Sequence, residues 1–557
     1  MNIRNILAYF ILFISCLYPY KSVAQTQLPP AQLRRLDSIA LQDVPPNAPG
    51  IATAIIQRGK VIYRQYAGFA NLADSTRITP YTRFNMASNG KQFTALAILQ
   101  LEKQGKIKLT DDIRQFLPTL FPALKTTLTI AHLLNHTSGI RDVYDLWSIQ
   151  GIIWWKQSFS NKDVYQLISK QQDLNFEPGA RYLYSNSNYI LLAIIIEKVT
   201  GRSFVQYTTQ LFKQLNMPNT SFEDDYTKIK GPVARAYFNF GEWTTYDWIW
   251  NVCGDGNLFS TLADQIQWEK IIQGKGKTTL DRDIIKKSQE VIENSTFTDY
   301  GYGLERGEYK NIKYLFHEGA TGAWKATTMR FPGNQMTMIT LTNTGKAIPS
   351  MQTRQMADIV LDLPVNNKYF PVSPPSVGPY ISEEDIIGTY LTSGGFSFQF
   401  EKMQDRIYLK RAGRNDVELV REATNIFHQK NDAAFRQEFV KDQNGELQVT
   451  VYYTTHAPYS LKKVLAQWTG FDHTAPNGQY LNEETNTLLE IFFKKDKIYN
   501  LNIGKADTME SRLITPSLML AGPYRLRMNT CTTACDTIWL DGDRVKNMIF
   551  RRIKPKS

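Results

Sequence analysis

Ser88 and Lys91 are the first residues of this chain whose types and spacing could support chemistry. They lie three residues apart in the segment FNMASNGKQFTALAIL, whose apolar second half predicts a buried helix. At this spacing both side chains lie on one face of the helix, one turn apart. Burial lowers the pKa of a lysine, and a neutral amine can take the proton of a neighbouring hydroxyl. The pair therefore predicts an activated serine nucleophile at a helix N-terminus, where backbone N–H groups can stabilise an oxyanion.

Taken alone, Ser-x-x-Lys is weak evidence, since serine is a common N-cap residue and a first-turn lysine often points to water. Two further segments strengthen the interpretation. RYLYSNSNYILLAIIIEKVTG places Tyr184 and Asn186 directly before a second apolar helix. LFHEGATGAW places His317 and Gly319 at the end of a predicted strand.

The order Ser-x-x-Lys, Tyr-x-Asn and strand-borne Lys/His-x-Gly, with His317 in the third motif here, resembles that of the serine β-lactamase and penicillin-binding-protein superfamily. The Tyr-x-Asn form is similar to the class C branch, with its DD-peptidase and esterase relatives. The resemblance covers about residues 40–345. It includes connecting segments, namely LLNHTSGI (133–140), FEPGARYLYSNSNY (176–189), GDGNLFST (254–261) and YGYGLERG (300–307).

The resemblance implies a catalytic role for each motif. Ser88 would be the acylated nucleophile, Lys91 would assist its deprotonation, and Tyr184 would act as general base or proton relay. The oxyanion hole would use the backbone N–H groups of Ser88 and Ala320. The implied activity is that of a serine hydrolase that cleaves an ester, an amide or a D-amino-acid peptide through an acyl-enzyme.

The resemblance also implies substrate contacts from Asn186, His317 and Gly319, with Asn186 holding the acyl-side amide or carbonyl. Glu318 departs from the pattern, because β-lactam-processing relatives have a small or hydroxyl-bearing residue there. A carboxylate facing the cleft would repel the carboxylate of such a substrate, although strand alternation can point it away.

Two other functions therefore stay open beside the general serine hydrolase. One is a β-lactamase or DD-carboxypeptidase proper, against which Glu318 argues mildly. The other is a cell-surface binding protein that retains the fold without turnover, against which the intact Ser88, Lys91 and Tyr184 argue.

Several polar residues outside these motifs have simpler interpretations. HTSG (136–139) suggests a second catalytic serine, Ser138, but a helix end and a turn with Gly139 at positive φ explain it better. Export permits a disulfide between Cys531 and Cys535. No histidine lies near these two cysteines, so a zinc site is not predicted, and we expect no metal and no cofactor.

The N-terminal segment MNIRNILAYFILFISCLYPYKSVAQTQ is typical of a secretory signal peptide. After Arg4 it has an apolar run from Ile6 to Tyr18, short of the about 20 residues that span a bilayer. We predict cleavage after Ala24 and an exported protein, periplasmic or secreted, with no integral membrane segment after signal removal. A second alternative is a lipoprotein with Cys16 as the lipidated residue.

The formal net charge is +12, and it falls to +10 when residues 1–24 are removed. A basic exported protein can be drawn to anionic cell-surface polymers, although a solvated basic surface is the simpler interpretation. No basic cluster is interleaved with aromatic residues, and export makes nucleic acid an unexpected partner. We expect a small-molecule or peptide substrate, with cell-wall fragments as one candidate source.

One α+β domain is predicted over residues 25–362. GIATAIIQRGKVIYRQYAGFAN predicts two strands joined at RGK, and strands return in YLFHEGATGAWKATTMRFPGNQMTMITLTN. The stretch from about Ser88 to Gln289 is mostly helical. We therefore predict an antiparallel sheet built from both ends of the domain, flanked by helices, with an inserted helical lobe, as in β-lactamases and transpeptidases.

The C-terminal part contains an internal repeat. IIGTYLTSGGFSFQFEKMQDRIYL and PNGQYLNEETNTLLEIFFKKDKIYN share Gly-x-Tyr-Leu, an alternating apolar run, and a charged turn before Ile-Tyr. Such similarity predicts two copies of one β-rich unit, each a small barrel or sandwich.

These copies predict a Pro-rich linker over residues 363–380 and β-rich domains over 381–465 and 466–557. None of the three motifs lies beyond Asp362. We therefore expect the tail to stay apart from the chemistry, so that a chain ending near residue 365 folds and hydrolyses small esters.

Overall fold

The computed structural model describes residues 28–364, 378–393, 396–410, 416–453, 456–465, 470–529 and 534–553. The signal segment with Cys16, most of the predicted linker, and Cys531 lie outside these residues. Signal cleavage, lipidation and the disulfide therefore stay predictions. Within the described part of the chain, no helix combines the length and apolar character needed to cross a bilayer.

The N-terminal domain contains helices on both sides of a central sheet. Its helices are α1 (Pro30–Leu41), α2 (Lys91–Lys103), α3 (Ile130–Leu134), α4 (Val143–Ile149), α5 (Asn161–Ile168), α6 (Asn186–Thr200), α7 (Phe204–Gln214), α8 (Leu262–Ile272), α9 (Arg282–Lys287) and α10 (Pro349–Val360). Its strands are β1 (Ile51–Gln57), β2 (Lys60–Ala67), β3 (Phe69–Asn71), β4 (Thr76–Arg77), β5 (Arg83–Asn85), β6 (Ser221–Phe222), β7 (Phe238–Asn239), β8 (Trp243–Thr244), β9 (Leu258–Thr261), β10 (Glu305–Tyr309), β11 (Ile312–Thr321), β12 (Trp324–Phe331) and β13 (Met336–Thr342).

The main sheet is antiparallel and has the order β10-β11-β12-β13-β1-β2. Strand β1 pairs with β13, with Ile51 opposite Thr342, so the two ends of the domain meet in one sheet. This arrangement confirms the predicted α+β fold, with α2 to α9 inserted between the two sets of strands.

Strand β1 is buried on both faces because helices cover both sides of the sheet. Ala54 and Ile56 pack in the core shared with the helical lobe, whereas Ile55 packs with Leu36 of α1 and Met356 of α10. Neighbouring residues pack in different cores because successive side chains of a strand point to opposite faces. Since helices cover both faces, the segment is continuously apolar rather than alternating between apolar and polar residues.

Helices α2 and α6 form the buried centre of the lobe. Every residue of α2 from Lys91 to Leu99 is buried, and so is every residue of α6 from Asn186 to Ile196. A helix that is apolar nearly all round is stable only when neighbours surround it. The packing of α2 against α6 brings their N-terminal ends, and the motifs there, to one place.

The repeat forms two closed eight-stranded barrels. After α11 (Glu383–Ile386), the first barrel comprises β14 (Gly388–Leu391), β15 (Ser397–Met403), β16 (Arg406–Lys410), β17 (Val417–Ala423), β18 (Ile426–Gln429), β19 (Asp432–Lys441), β20 (Leu447–Tyr453) and β21 (His456–Lys463). The second comprises β22 (Gly478–Asn482), β23 (Thr487–Lys495), β24 (Ile498–Ile503), β25 (Met509–Thr515), β26 (Leu518–Ala521), β27 (Tyr524–Met528), β28 (Thr537–Asp541) and β29 (Met548–Arg552).

The shared Gly-x-Tyr motif has the same structure in both barrels. Gly388 and Gly478 begin the first strands with φ of 136° and 147°, values that favour glycine. The tyrosines two residues on, Tyr390 and Tyr480, are fully buried, and each donates a hydrogen bond of 2.9 Å to the carbonyl four residues before it. The repeat is therefore structural, and it closes each barrel at equivalent positions.

The second barrel packs directly on the helical lobe. Arg141 of the lobe is almost completely buried and pairs with Glu484 of the barrel at 2.6 Å. Gln150 donates to the carbonyl of Thr485 and accepts from the amide of Lys505. The apolar residues of this barrel belong to the same core cluster as those of the lobe, whereas the first barrel has its own core.

Candidate active site

Ser88 lies in a 3₁₀ turn, Ala87–Gly90, that leads directly into α2. Ala87 has a φ of 45°, an uncommon value for alanine, and its amide donates to the side chain of Asn85 at 2.9 Å. A backbone held in such a sparsely populated region stores about 1–3 kcal/mol and is typical of functional sites. The turn presents Ser88 to the cleft between the sheet and the lobe.

Lys91 is fully buried and makes three hydrogen bonds through its Nζ. They reach Ser88 Oγ at 3.1 Å, Asn186 Oδ1 at 2.9 Å and the carbonyl of Asp255 at 2.6 Å. The last two oxygens can only accept, so they hold two N–H bonds of the amine. In a neutral amine the remaining lone pair therefore faces the Ser88 hydroxyl.

Burial lowers the pKa of Lys91 to about 8, although the Asp255 charge opposes the shift. About half of the amine is therefore neutral at pH 8, and about a tenth is neutral at pH 7. The sequence interpretation required this lowered pKa, because a lysine inside an apolar helix can act as a base only as a neutral amine.

Asn186 is oriented by a buried carboxylate. Its backbone N–H and its Nδ2 both donate to Asp142 Oδ2, at 2.6 and 2.9 Å, which turns its Oδ1 toward Lys91. Asn186 still lines the cleft. The structure thus gives it a contact with Lys91 that the sequence did not predict, beside the implied contact with substrate.

Tyr184 completes the predicted constellation. It lines the cleft together with Ser88, and its ring centroid lies 4.9 Å from Lys91 Nζ. Burial holds the pKa of Tyr184 well above its usual range, while the Ser88 hydrogen bond and the Arg544 charge oppose that shift. The resting phenol is therefore protonated.

His136 of the HTSG segment packs against Tyr184 with ring centroids 4.3 Å apart. Its Nδ1 accepts from the backbone N–H of Ser185, and burial lowers its pKa well below the usual value. Ser138 donates to Asn188 inside the protein, and Gly139 has a φ of 76° with no room for a Cβ beside the Phe176 carbonyl. The structural interpretation of HTSG is thus confirmed.

The third motif lies beside the nucleophile. A Cβ at Gly319 would come within 2.2 Å of the Met86 carbonyl and 3.1 Å of the Ser88 amide nitrogen, so only glycine allows this approach of β11. Ala320 follows it and lines the cleft with Ser88, as an oxyanion hole built from both amides requires.

His317 is buried and hydrogen-bonded on both sides. Its Nδ1 lies 2.7 Å from the Glu318 carbonyl, which can only accept, so Nδ1 carries the proton and Nε2 accepts from the Tyr300 hydroxyl at 3.0 Å. Burial and the Lys91 charge lower the pKa of His317 to about 3. The ring is therefore neutral and does not supply the positive charge of a lysine at this position.

The cleft has a volume of about 710 Å³, and both polar and apolar side chains line it. Glu318, whose orientation the sequence left open, lines it together with Glu305. The Glu318 side chain is about half exposed and lies 3.9 Å from Arg354. An acid at this rim position disfavours anionic substrates.

The second barrel also reaches this cleft. Asp543 and Arg544, in the turn between β28 and β29, line it. The turn is held by the lobe, since the Arg544 amide donates to Asp145 at 2.6 Å and its carbonyl accepts from Asn175 at 3.0 Å. The Arg544 guanidinium carbon lies 4.9 Å from the centroid of the Tyr184 ring.

A family model described as Beta-lactamase matches residues 41–362, more than half of the chain. The chain belongs to the Beta-lactamase family. This match confirms the superfamily that the three motifs predicted, and with it the fold of the N-terminal domain.

Two relatives illustrate the family. Penicillin-binding protein 4* of Bacillus subtilis is 27% identical over 397 residues, which cover 65% of this chain and 83% of that protein. D-aminopeptidase of Brucella anthropi is 28% identical over 310 residues, which cover 53% of this chain and 56% of the relative, so the chain spans about half its length.

Among solved structures, the octameric penicillin-binding protein homologue from Pyrococcus abyssi superposes with a TM-score of 0.55 at 24% identity. The superposition covers 77% of this chain and 100% of that one. At this identity the likeness concerns the fold.

In this Beta-lactamase-family chain the tail lines the cleft, so the expected spatial separation is wrong, whereas the folding and ester hydrolysis of a chain ending near residue 365 stay predictions. Arg544 lies 182 residues beyond Asp362 and contacts the Tyr184 ring, because the second barrel shares an apolar core with the lobe. No sequence signal reveals this contact, since GDRVKN has the composition of an ordinary hairpin turn.

Proposed function

We propose that this serine hydrolase is exported and cleaves an ester, an amide or a D-amino-acid peptide through an acyl-enzyme on Ser88. The observation that carries the proposal is the Lys91 amine, which lies 3.1 Å from Ser88 Oγ while two carbonyl oxygens hold its other N–H bonds. The similarity to a D-aminopeptidase supports the substrate class.

The geometry supports the following acylation step. Lys91 takes the proton of Ser88 as Oγ attacks the substrate carbonyl, and the amides of Ser88 and Ala320 bind the resulting oxyanion. Tyr184 gives its proton to the leaving group, and the proton held by Lys91 replaces it. Water then attacks the ester on Ser88, and the same groups release the free acid.

A β-lactamase or DD-carboxypeptidase proper has less support than the general hydrolase. Such substrates carry a carboxylate, which the cleft would have to bind. His317 is neutral and Glu318 lies at the rim, which leaves Arg544 as the cation among the described residues that line the cleft. The binding protein without turnover has less support still, because the hydrogen bonds of Lys91 are complete.

The test is a substrate panel with the purified protein: p-nitrophenyl acetate, D-alanine p-nitroanilide, a D-alanyl-D-alanine peptide and a chromogenic cephalosporin. We expect hydrolysis of the ester and the D-amino-acid amide, and a mass increase equal to the acyl group on the peptide that contains Ser88. Protein recovered from the exported fraction should begin at Gln25 by intact mass.

Hydrolysis of the cephalosporin alone would establish the β-lactamase alternative. An absence of both turnover and acylation would support the binding-protein alternative.

Arg544 provides a second prediction. Replacing it with alanine removes a cation that favours the Tyr184 phenolate formed as the leaving amine takes its proton, so kcat for D-alanine p-nitroanilide should fall about tenfold. Arg544→Lys should recover part of that loss. Arg551→Ala, an exposed arginine on the same barrel, is the matched control and should retain wild-type kcat. Equal activity of Arg544→Ala and Arg551→Ala would show that the barrel turn is only a boundary of the cleft.

A further inference from the structure

His136 of the HTSG segment lies directly behind Tyr184, the proton donor of the proposed acylation step. Its side chain is completely buried, and it is not among the described residues that line the cleft. Its ring centroid is 4.3 Å from that of Tyr184. An effect of His136 on the reaction therefore has to pass through Tyr184 or its chain neighbours.

His136 holds the backbone on both sides of Tyr184. Its carbonyl accepts from the Leu183 amide at 3.0 Å, and its Nδ1 accepts from the Ser185 amide at 3.2 Å. The Nδ2 of Asn188 lies 3.1 Å from the same Nδ1. One histidine thus fixes the residue before Tyr184 and the residue after it, while its ring packs against the phenol ring.

These contacts determine the tautomer of the imidazole. Because Nδ1 accepts from a backbone N–H, the proton of the neutral ring is on Nε2. Nε2 is buried and has no hydrogen-bond partner among the described residues. Burial lowers the pKa of His136 well below its usual value, so the ring stays neutral and Nδ1 stays an acceptor.

The position is unfavourable for a residue that serves only to fill space. A buried N–H without a partner destabilises the folded state. The backbone of His136 has a φ of 59°, in the left-handed region that costs free energy for a residue other than glycine. An apolar side chain would fill the space without the unpaired N–H, but it would lack an acceptor for the Ser185 amide.

We propose that His136 is a positioning residue that holds the Tyr184 phenol where it protonates the leaving group. The inference rests on the proposed function, because that chemistry makes Tyr184 the proton donor. Nδ1 fixes the backbone beside Tyr184, and the imidazole ring restricts the orientation of the phenol ring. Without these contacts the phenol is still present and protonated, but it is no longer aligned with the leaving group.

Two acetates that form the same acyl-enzyme test this role. Ethyl acetate releases an alkoxide that needs the proton of Tyr184, whereas p-nitrophenyl acetate releases a stable phenolate that does not. Because kcat/KM reports acylation, the ratio of kcat/KM for ethyl acetate to that for p-nitrophenyl acetate measures proton donation. The ratio does not depend on the amount of folded protein, so partial unfolding cannot imitate the effect.

His136→Ala should lower kcat/KM for ethyl acetate about 100-fold and that for p-nitrophenyl acetate less than about threefold. His136→Gly, which adopts the φ of this position readily, should change the ratio equally. His136→Asn should recover part of the loss, because its side-chain oxygen can accept from the Ser185 amide and asparagine tolerates a positive φ. Combining His136→Ala with Tyr184→Phe should lower the ratio no further than Tyr184→Phe alone, since no phenol is left to position.

Thr137→Val is the matched control. Thr137 is buried in the same turn, and its hydroxyl donates to Asn135 Oδ1 at 2.7 Å rather than to the second motif. The variant should therefore lose stability in thermal unfolding and keep the wild-type ratio. A ratio that falls in Thr137→Val as far as in His136→Ala would overturn the positioning role, because any weakening of the turn would then produce the effect.

An unchanged ratio in His136→Ala and His136→Gly, with a lowered ratio in Tyr184→Phe, would also overturn the positioning role and leave His136 as a packing residue. If Tyr184→Phe keeps the wild-type ratio as well, the proton-donor role of Tyr184 in the proposed function fails, and the role of His136 fails with it.

Discussion

Replacing Ser88 with alanine is expected to lower the rate of ester hydrolysis by more than about 10³-fold, because Ser88 Oγ is the hydroxyl that hydrogen-bonds to the Lys91 amine among the described residues. The variant should also lose covalent labelling by a fluorophosphonate probe. Peptide mass spectrometry of the labelled wild-type protein should locate a single adduct on the peptide that contains Ser88.

Ser185→Ala is the matched control for this experiment. Ser185 is buried in the Tyr-x-Asn motif, close to the same constellation, and its Oγ makes no hydrogen bond among the described residues. Its removal should leave both labelling and turnover near the wild-type level. Labelling that persists in Ser88→Ala and disappears in Ser185→Ala would move the nucleophile to the second motif.

The Ser88–Lys91 pair could be predicted from a local pattern, because a helix that is apolar nearly all round must pack in the core and this helix carries the pair at its N-terminal end. The places of Tyr184 and Gly319 beside the pair were predicted from the resemblance to the superfamily. The structure supplies the physical reasons for them. Helix α6 is also buried and carries its motif at its N-terminal end, and Gly319 lets its backbone approach within contact distance of the Ser88 turn.

Arg544, Trp154 and Trp250 line the cleft but could not be predicted in the same way. Arg544 reaches the cleft through packing between the second barrel and the lobe, and such an interface depends on the shapes of two separately folded surfaces rather than on any local pattern. Trp154 and Trp250 lie in connecting segments, whose paths are set by the elements that they join.

The protonation states of the site also required the structure. His317 stands at the Lys/His position of the third motif, and its complete burial and its hydrogen bond to the Glu318 carbonyl show that it is neutral. In the barrels, by contrast, the repeated Gly-x-Tyr motif was sufficient to predict two equivalent units, although closure into barrels rather than sandwiches was left open.

Tyr184→Phe is expected to reduce kcat for D-alanine p-nitroanilide by about 10²–10⁴-fold while KM changes little, because the phenol protonates the leaving amine in the transition state. The structure favours a proton relay over a resting base. Burial raises the pKa of Tyr184 well above its usual range and lowers that of Lys91 to about 8, so the neutral amine is the stronger candidate for the first proton transfer.

This division of roles predicts a particular pH dependence. The rate should rise as the pH increases through about 8, because Lys91 must lose its proton before it can accept that of Ser88. Tyr184→Phe should retain this rise, since Lys91 is intact. Lys91→Met should remove it, since Met leaves no titrating amine beside Ser88. The measurement is kcat/KM for p-nitrophenyl acetate from pH 6 to 10, corrected for spontaneous hydrolysis.

If Tyr184→Phe abolishes the rise instead, the titrating group is the phenol, and Tyr184 rather than Lys91 is the general base. If Tyr184→Phe keeps the wild-type kcat for D-alanine p-nitroanilide, the ring serves only to pack His136 and Arg544 against the cleft.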